Sequence, residues 1–147
     1  MNFLSKPLAA LGIATAMSLT AMAFSAPALA EGNLASNGVE IDLKVDTENL
    51  KFSQDVIELE TGKYYRMNIT VEDADDTAFV APEFFRNVWI NQIVVNDLEI
   101  KAQNPYSLEW DAAGTFNVSF VPMRPGEYEF AIAGYEERGL KGKFVVK

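Results

Sequence analysis

The chain predicts an all-β fold, an antiparallel sandwich or barrel, and three observations carry that expectation. Apolar residues recur at every second position in one short segment after another. Turn residues separate those segments at short intervals, the spacing of a sandwich or barrel. Beyond the first 30 residues no segment places apolar residues at helical spacing.

The N-terminal 30 residues read as a secretory signal peptide. Lys6 supplies the positive charge, Leu8 to Phe24 an apolar stretch, and Ala28-Leu29-Ala30 a small-x-small cleavage site. The apolar run is shorter than the ~20 residues of a spanning helix, and no cysteine is present for lipid attachment. Cleavage after Ala30 of the 147-residue chain leaves 117 residues, the size of one domain. The expected division is 1–30 signal peptide, 31–38 flexible lead, and 39–147 one β-domain. An export signal of this form points to a bacterial periplasm, and no later segment is apolar enough to span a membrane.

In the mature chain, Val39, Ile41, Leu43 and Val45 alternate with Glu40, Asp42, Lys44 and Asp46, giving one buried and one wet face. Ile57 and Leu59 follow with the same period, closed by Thr61-Gly62, and then Tyr65, Met67, Ile69 and Val71. Glu72 to Asp76 reads as an acidic loop. Phe79 to Phe85, with Pro82 inside it, reads as irregular structure capping the core. Asn87 to Val95 is extended, Asn96-Asp97 suits a two-residue hairpin turn, and Leu98 and Ile100 alternate beyond it. Leu108 and Trp110, then Phe116, Val118 and Phe120, then Tyr128, Phe130 and Ile132, and last Phe144 to Val146 complete about nine strands. Asn68-Ile69-Thr70 and Asn117-Val118-Ser119 match the glycosylation sequon, but in a bacterial setting they read as ordinary strand residues.

Composition narrows function mainly by exclusion. The chain contains no histidine and no cysteine, so the commonest general base and the thiol nucleophile are both missing. No nucleophile elbow, phosphate-cradling loop or dinucleotide fingerprint occurs. Export without cysteine also means a fold held by its core alone. All 21 acidic residues and 11 of the 12 basic ones lie beyond residue 30, a mature net charge of −10. A field of that sign disfavours nucleic acid and anionic lipid, and favours cations or a basic partner surface.

Two segments resemble the cupredoxin family. The first is Leu50-Lys51-Phe52-Ser53-Gln54-Asp55-Val56-Ile57-Glu58-Leu59-Glu60-Thr61-Gly62-Lys63. The second runs Phe120-Val121-Pro122-Met123-Arg124-Pro125-Gly126-Glu127-Tyr128-Glu129-Phe130, then Gly134-Tyr135, then Gly139-Leu140-Lys141-Gly142. The resemblance implies a cupredoxin-like Greek-key β-sandwich over residues 39 to 147. In copper-binding members these phrases deliver a cysteine, a histidine and a methionine, with the first histidine lying after the third strand. Carried over, the first histidine position matches Thr77, the cysteine Ala131 or Phe130, the second histidine Tyr135 and the methionine Leu140. Met67 and Met123, the only methionines of the mature chain, match no ligand position. A type 1 centre needs a thiolate and two imidazoles, so the same resemblance implies a copper-free member.

Three regions remain as candidate sites. Glu72, Asp73, Asp75 and Asp76 gather carboxylates of the kind hard cations take, although the EF-hand spacing is absent. Glu136 and Glu137 lie between the second-histidine and methionine positions, and Glu83 sits on the Pro82 segment that should border the same end. Oxygen donors of this type suit ferric iron or a similar cation. Phe84, Phe85, Arg86 and Trp89 combine aromatics and arginine, the residue types enriched at protein contacts. The leading expectation is a periplasmic binding or accessory protein serving iron or copper uptake or homeostasis. It would be no enzyme, with no cofactor beyond a weakly held cation and with an unidentified protein partner in the cell envelope. The alternatives are a structural interaction domain with no metal role, and a ferroxidase or other redox enzyme built on carboxylates.

Overall fold

A computed structural model describes residues 37–73 and 76–147. The predicted signal peptide, most of the lead and Asp75 lie outside the described residues. Among the described residues no helix is long and apolar enough to cross a membrane.

Two sheets face each other across an aromatic-rich core. The first contains β1 (Val39–Asp46), β2 (Lys51–Phe52), β4 (Tyr65–Val71), β6 (Val88–Val95), β7 (Leu98–Ile100) and β9 (Gly114–Pro122), in the order β2-β1-β4-β9-β6-β7. The second contains β3 (Val56–Leu59), β5 (Thr77–Val80), β8 (Ser107–Trp110), β10 (Gly126–Ile132) and β11 (Lys141–Val146), in the order β3-β11-β10-β5-β8. Period-2 alternation sends Leu43, Val45, Met67, Ile69, Val118 and Phe120 inward from the first sheet, and Ile57, Leu59, Phe79, Phe130, Ile132 and Phe144 from the second. All twelve are at most 3% exposed.

The all-β sandwich expected from the pattern is present, with differences of detail. The strands number eleven among the described residues, because β2 and β5 add to the nine legible segments. The packing is not wholly antiparallel: β1 runs parallel to β4 and β3 parallel to β11. Alternation specifies which face a residue takes and says nothing of strand direction. A parallel pair cannot be closed by a tight hairpin, and both of these pairs are joined through intervening strands. The Phe79–Phe85 stretch contains a strand and a five-residue helix, α1 (Pro82–Arg86), with its proline in the first turn.

The outer face of the first sheet is polar and cross-linked. Asn68 donates to Asp42 at 2.8 Å on one side and accepts from Asn117 at 2.6 Å on the other. Arg66 donates to Glu40 at 3.1 Å, and Thr70 bonds Thr115 at 2.8 Å. Both sequon asparagines are therefore strand residues on this face, bonded to each other. A bulge between Ile90 and Gln92 frees Asn91 to donate to the Tyr64 hydroxyl at 2.9 Å.

The crossing from β9 to β10 is pinned by Tyr128. Its hydroxyl donates to the Arg124 carbonyl at 2.9 Å, four residues upstream, in the manner of a tyrosine corner. Tyr128→Phe keeps the buried ring and loses that bond. It is expected to lower unfolding free energy by about 1 kcal/mol, checked by the midpoint of urea unfolding.

Candidate functional site

The connection between β10 and β11 closes one end of the sandwich. The Ile132 amide donates to the Leu140 carbonyl at 3.1 Å, Leu140 to Tyr135 at 3.2 Å, and Tyr135 back to Ile132 at 3.0 Å. The Ala133 amide donates to the Ala78 carbonyl of β5 at 2.9 Å, which draws the earlier segment to the same end. Between Tyr135 and Gly139 the chain makes one 3-10 turn, Glu136–Arg138, stopped by Gly139 at φ 97°.

This is the end to which the cupredoxin resemblance carries its ligands, and hydrocarbon fills it. Ile132 and Leu140 are fully buried, Ala131 is 8% exposed, and Tyr135 packs partly against the core. Thr77 is buried at the start of β5, paired across the ladder with Trp110. Phe130 points into the core against Phe52 and Phe79 at 4.9 and 5.6 Å. Neither a thiolate nor an imidazole stands at any of these positions, so the donor set does not fit a type 1 copper ion. The Arg138 guanidinium lies over the Tyr135 ring at 5.0 Å, a cation–π contact at the rim.

The carboxylate candidates separate. Glu83 and Glu136 do come together, on a shallow groove of about 380 Å³ along the outer face of β10. Glu137 does not line it. Glu127 and Glu129 do, and sequence reasoning missed them. The signal was available: they alternate with Tyr128 and Phe130, so they occupy the wet face of the same strand. The groove exists because β5 pairs with β10 only at Ala131 and Ile132, leaving the first half of β10 to α1. Glu83 is paired with Arg86, and Glu127 with Lys143 at 2.9 Å. Among the described residues Glu129 and Glu136 have no cation within ion-pair distance, so the groove keeps a negative excess. No group of three or more carboxylates is gathered closely enough to hold a metal ion among those residues.

In the acidic loop, Glu72 pairs with Lys44 at 3.6 Å, and the Asp73 carbonyl accepts from the Thr47 hydroxyl at 3.0 Å. Asp76 is exposed at φ 47°, and Asp75 lies outside the described residues. Nearby, the Asn49 amides hold the Asp46 carboxyl below the usual carboxylate range: its backbone N–H first, its side chain second.

Phe84 and Phe85 require a correction. Both are fully buried and present nothing to a partner. Phe84 joins the sheets, stacked on Phe144 at 3.9 Å and edge-on to Phe120 at 5.2 Å, and Phe85 meets Phe79 at 6.4 Å. The helix turns this pair inward and leaves Arg86 exposed. Trp89 does reach the surface, 46% exposed on β6 beside Val121.

No protein-family model matches this sequence. No curated protein matches it either. Solved structures do match in fold. Dithionite-reduced auracyanin from the photosynthetic bacterium Roseiflexus castenholzii is 15% identical, with 75% of this chain and 98% of that one covered at a TM-score of 0.51. A laccase-like multicopper oxidase from the lignin-degrading bacterium Ochrobactrum sp. is 12% identical, with 80% of this chain and 32% of that one covered, TM-score 0.57. A copper-containing nitrite reductase from Thermus scotoductus is 10% identical over 74% of this chain and 31% of that one, TM-score 0.55. Likeness at such identities speaks for the fold alone, and that fold is a cupredoxin-like β-sandwich.

Proposed function

We propose that the protein is an exported, copper-free cupredoxin-like accessory protein of the cell envelope, serving metal uptake or homeostasis through contact with a protein partner and not through electron transfer. One observation supports this reading above the others: at the ligand end, side chains without copper donors occupy the interior, while the acidic groove beside it stays open. Glu129 and Glu136, free of ion partners among the described residues, would meet lysines or arginines of the partner. Uncompensated carboxylates steer such a partner and set its orientation. The same oxygens favour a weakly held hard cation as the second occupant.

The test is metal content by elemental analysis and calorimetric titration with iron, copper and calcium ions, on protein purified after export. It is joined to capture of envelope proteins by wild type and by a Glu129→Gln, Glu136→Gln variant. The expected result is no stoichiometric copper, together with a metal-handling partner held by wild type and released by the variant. Near-stoichiometric iron or calcium lost in Glu136→Ala, Glu137→Ala would replace partner contact with a carboxylate metal site. A captured partner with no metal-handling role would favour the purely structural interaction domain.

A further inference from the structure

Among the described residues the two sheets end in four edge strands, and three of them are unsuited to pairing with a copy of themselves. β2 is two residues long. β3 carries Glu58 and is flanked by Asp55 and Glu60, with no cation on the strand. β8 carries Glu109 and runs into Asp111, again with no cation. Acidic edges of this sort discourage edge-to-edge association.

β7 differs. It reads Leu98-Glu99-Ile100 and continues into Lys101, so opposite charges stand two residues apart on one face, paired with each other, and Lys101 Nζ also donates to Gln92 at 3.2 Å. The other face shows Leu98, 70% exposed, and Ile100, 48% exposed. The hairpin from β6 determines which backbone groups are free. Asn96 and Asp97 both have positive φ, 45° and 67°, as a two-residue type I′ turn requires. Val95 and Leu98 close that turn as a hydrogen-bonded pair, and Ile93 with Ile100 is the next such pair. Glu99, opposite Val94 between them, therefore turns its N–H and C=O away from β6 toward the open edge. Lys101 lies just past the end of the ladder, and extending the strand by one residue carries the same phase on to it.

We propose that β7 pairs antiparallel with β7 of a second copy about a two-fold axis at Ile100. In that register Glu99 of each copy lies opposite Lys101 of the other. Both are hydrogen-bonded positions, so the free backbone groups are satisfied, and the ion pair within each strand joins its counterpart in a four-charge cluster of alternating sign. Ile100 meets its own counterpart at the close-approaching, non-hydrogen-bonded position, and Leu98 faces Ala102. Shifting the axis by one residue would oppose Glu99 to Glu99. Self-complementarity of charge, backbone direction and apolar face singles out a second copy as the occupant. The contact is smaller than the roughly 1,200 Å² of stable interfaces, so the pairing is weak and concentration-dependent.

Sedimentation equilibrium of the purified protein is expected to show the apparent mass rising toward twofold as concentration approaches the millimolar range, and falling again in high salt. Lys101→Glu and Glu99→Lys are each expected to abolish the rise, since like charges then face each other. The double swap Glu99→Lys, Lys101→Glu restores complementarity and is expected to restore the dimer. All of these positions are exposed, and unchanged thermal unfolding confirms that the variants fold. Amide exchange at Glu99 and Lys101 is expected to slow at high concentration, because only the paired register covers those N–H groups. A monomer at millimolar concentration would overturn the proposal. So would a dimer indifferent to the charge swaps, and so would capture of a foreign strand by β7 with no self-association.

Discussion

Gly142→Ala is expected to destabilise the protein by about 3 kcal/mol, the upper part of the range for overpacking a core. Gly142 lies directly across the ladder from Phe130, whose ring folds over it. A Cβ built there would sit 2.4 Å from the end of that ring and 2.6 Å from the Asp55 carbonyl oxygen. The ring can shift only into Phe52, Phe79 and Phe144, all packed against it. The Asp55 carbonyl is held in place by the Lys143 amide at 2.8 Å. Neither neighbour can give way freely, so the clash is relieved by moving β11 against β3. The check is urea unfolding, with Phe130→Leu in the Gly142→Ala background expected to recover part of the loss. Gly134→Ala is the contrast: at φ 79° with nothing within 4 Å, it is expected to cost only about 1 kcal/mol of backbone strain.

Phe84→Ala is expected to cost about 4 kcal/mol, the size of a large-to-small change in a core that cannot close over the cavity. The ring is fully buried between Phe120 of one sheet and Phe144 of the other, and Tyr128 and Phe85 lie within 6.1 Å, so three strands and α1 lose a common partner. Phe84→Leu keeps much of the volume and is expected to lose far less. The pair separates core from contact surface. Any fall in partner capture should track the loss of stability in Phe84→Ala and be absent in Phe84→Leu. Arg86→Ala and Trp89→Ala leave the core untouched and report on the surface itself.

Single-residue resolution of the fold from sequence varied with what each element depends on. The strands bearing Met67, Ile69, Phe130 and Ile132 were legible because alternation is a local property, and each of those residues is buried as the period requires. Asn96-Asp97 was legible because left-handed turn positions select asparagine and aspartate. β5 was not, since Thr77-Ala78-Phe79-Val80 sets a threonine inward and apolar Ala78 and Val80 on the other face, so no apolar–polar alternation shows. Nor was α1, whose five residues complete barely more than one turn.

The candidate site divides along the same line. The absence of histidine and cysteine and the negative charge are properties of composition. Glu83 and Glu136 share a groove with Glu127 and Glu129 only because β5 leaves β10 after two residue pairs and α1 takes its place. Phe84 and Phe85 are chemically indistinguishable from a surface aromatic pair until the helix axis sets them between the sheets. Strand periodicity, the all-β class and the absence of histidine and cysteine are readable residue by residue, because they depend on side-chain chemistry and on spacing along one strand. The parallel pairings, the burial of the two phenylalanines and the acidic groove arise only once the chain is folded. Those depend on contacts between residues far apart in the chain, which no local pattern encodes.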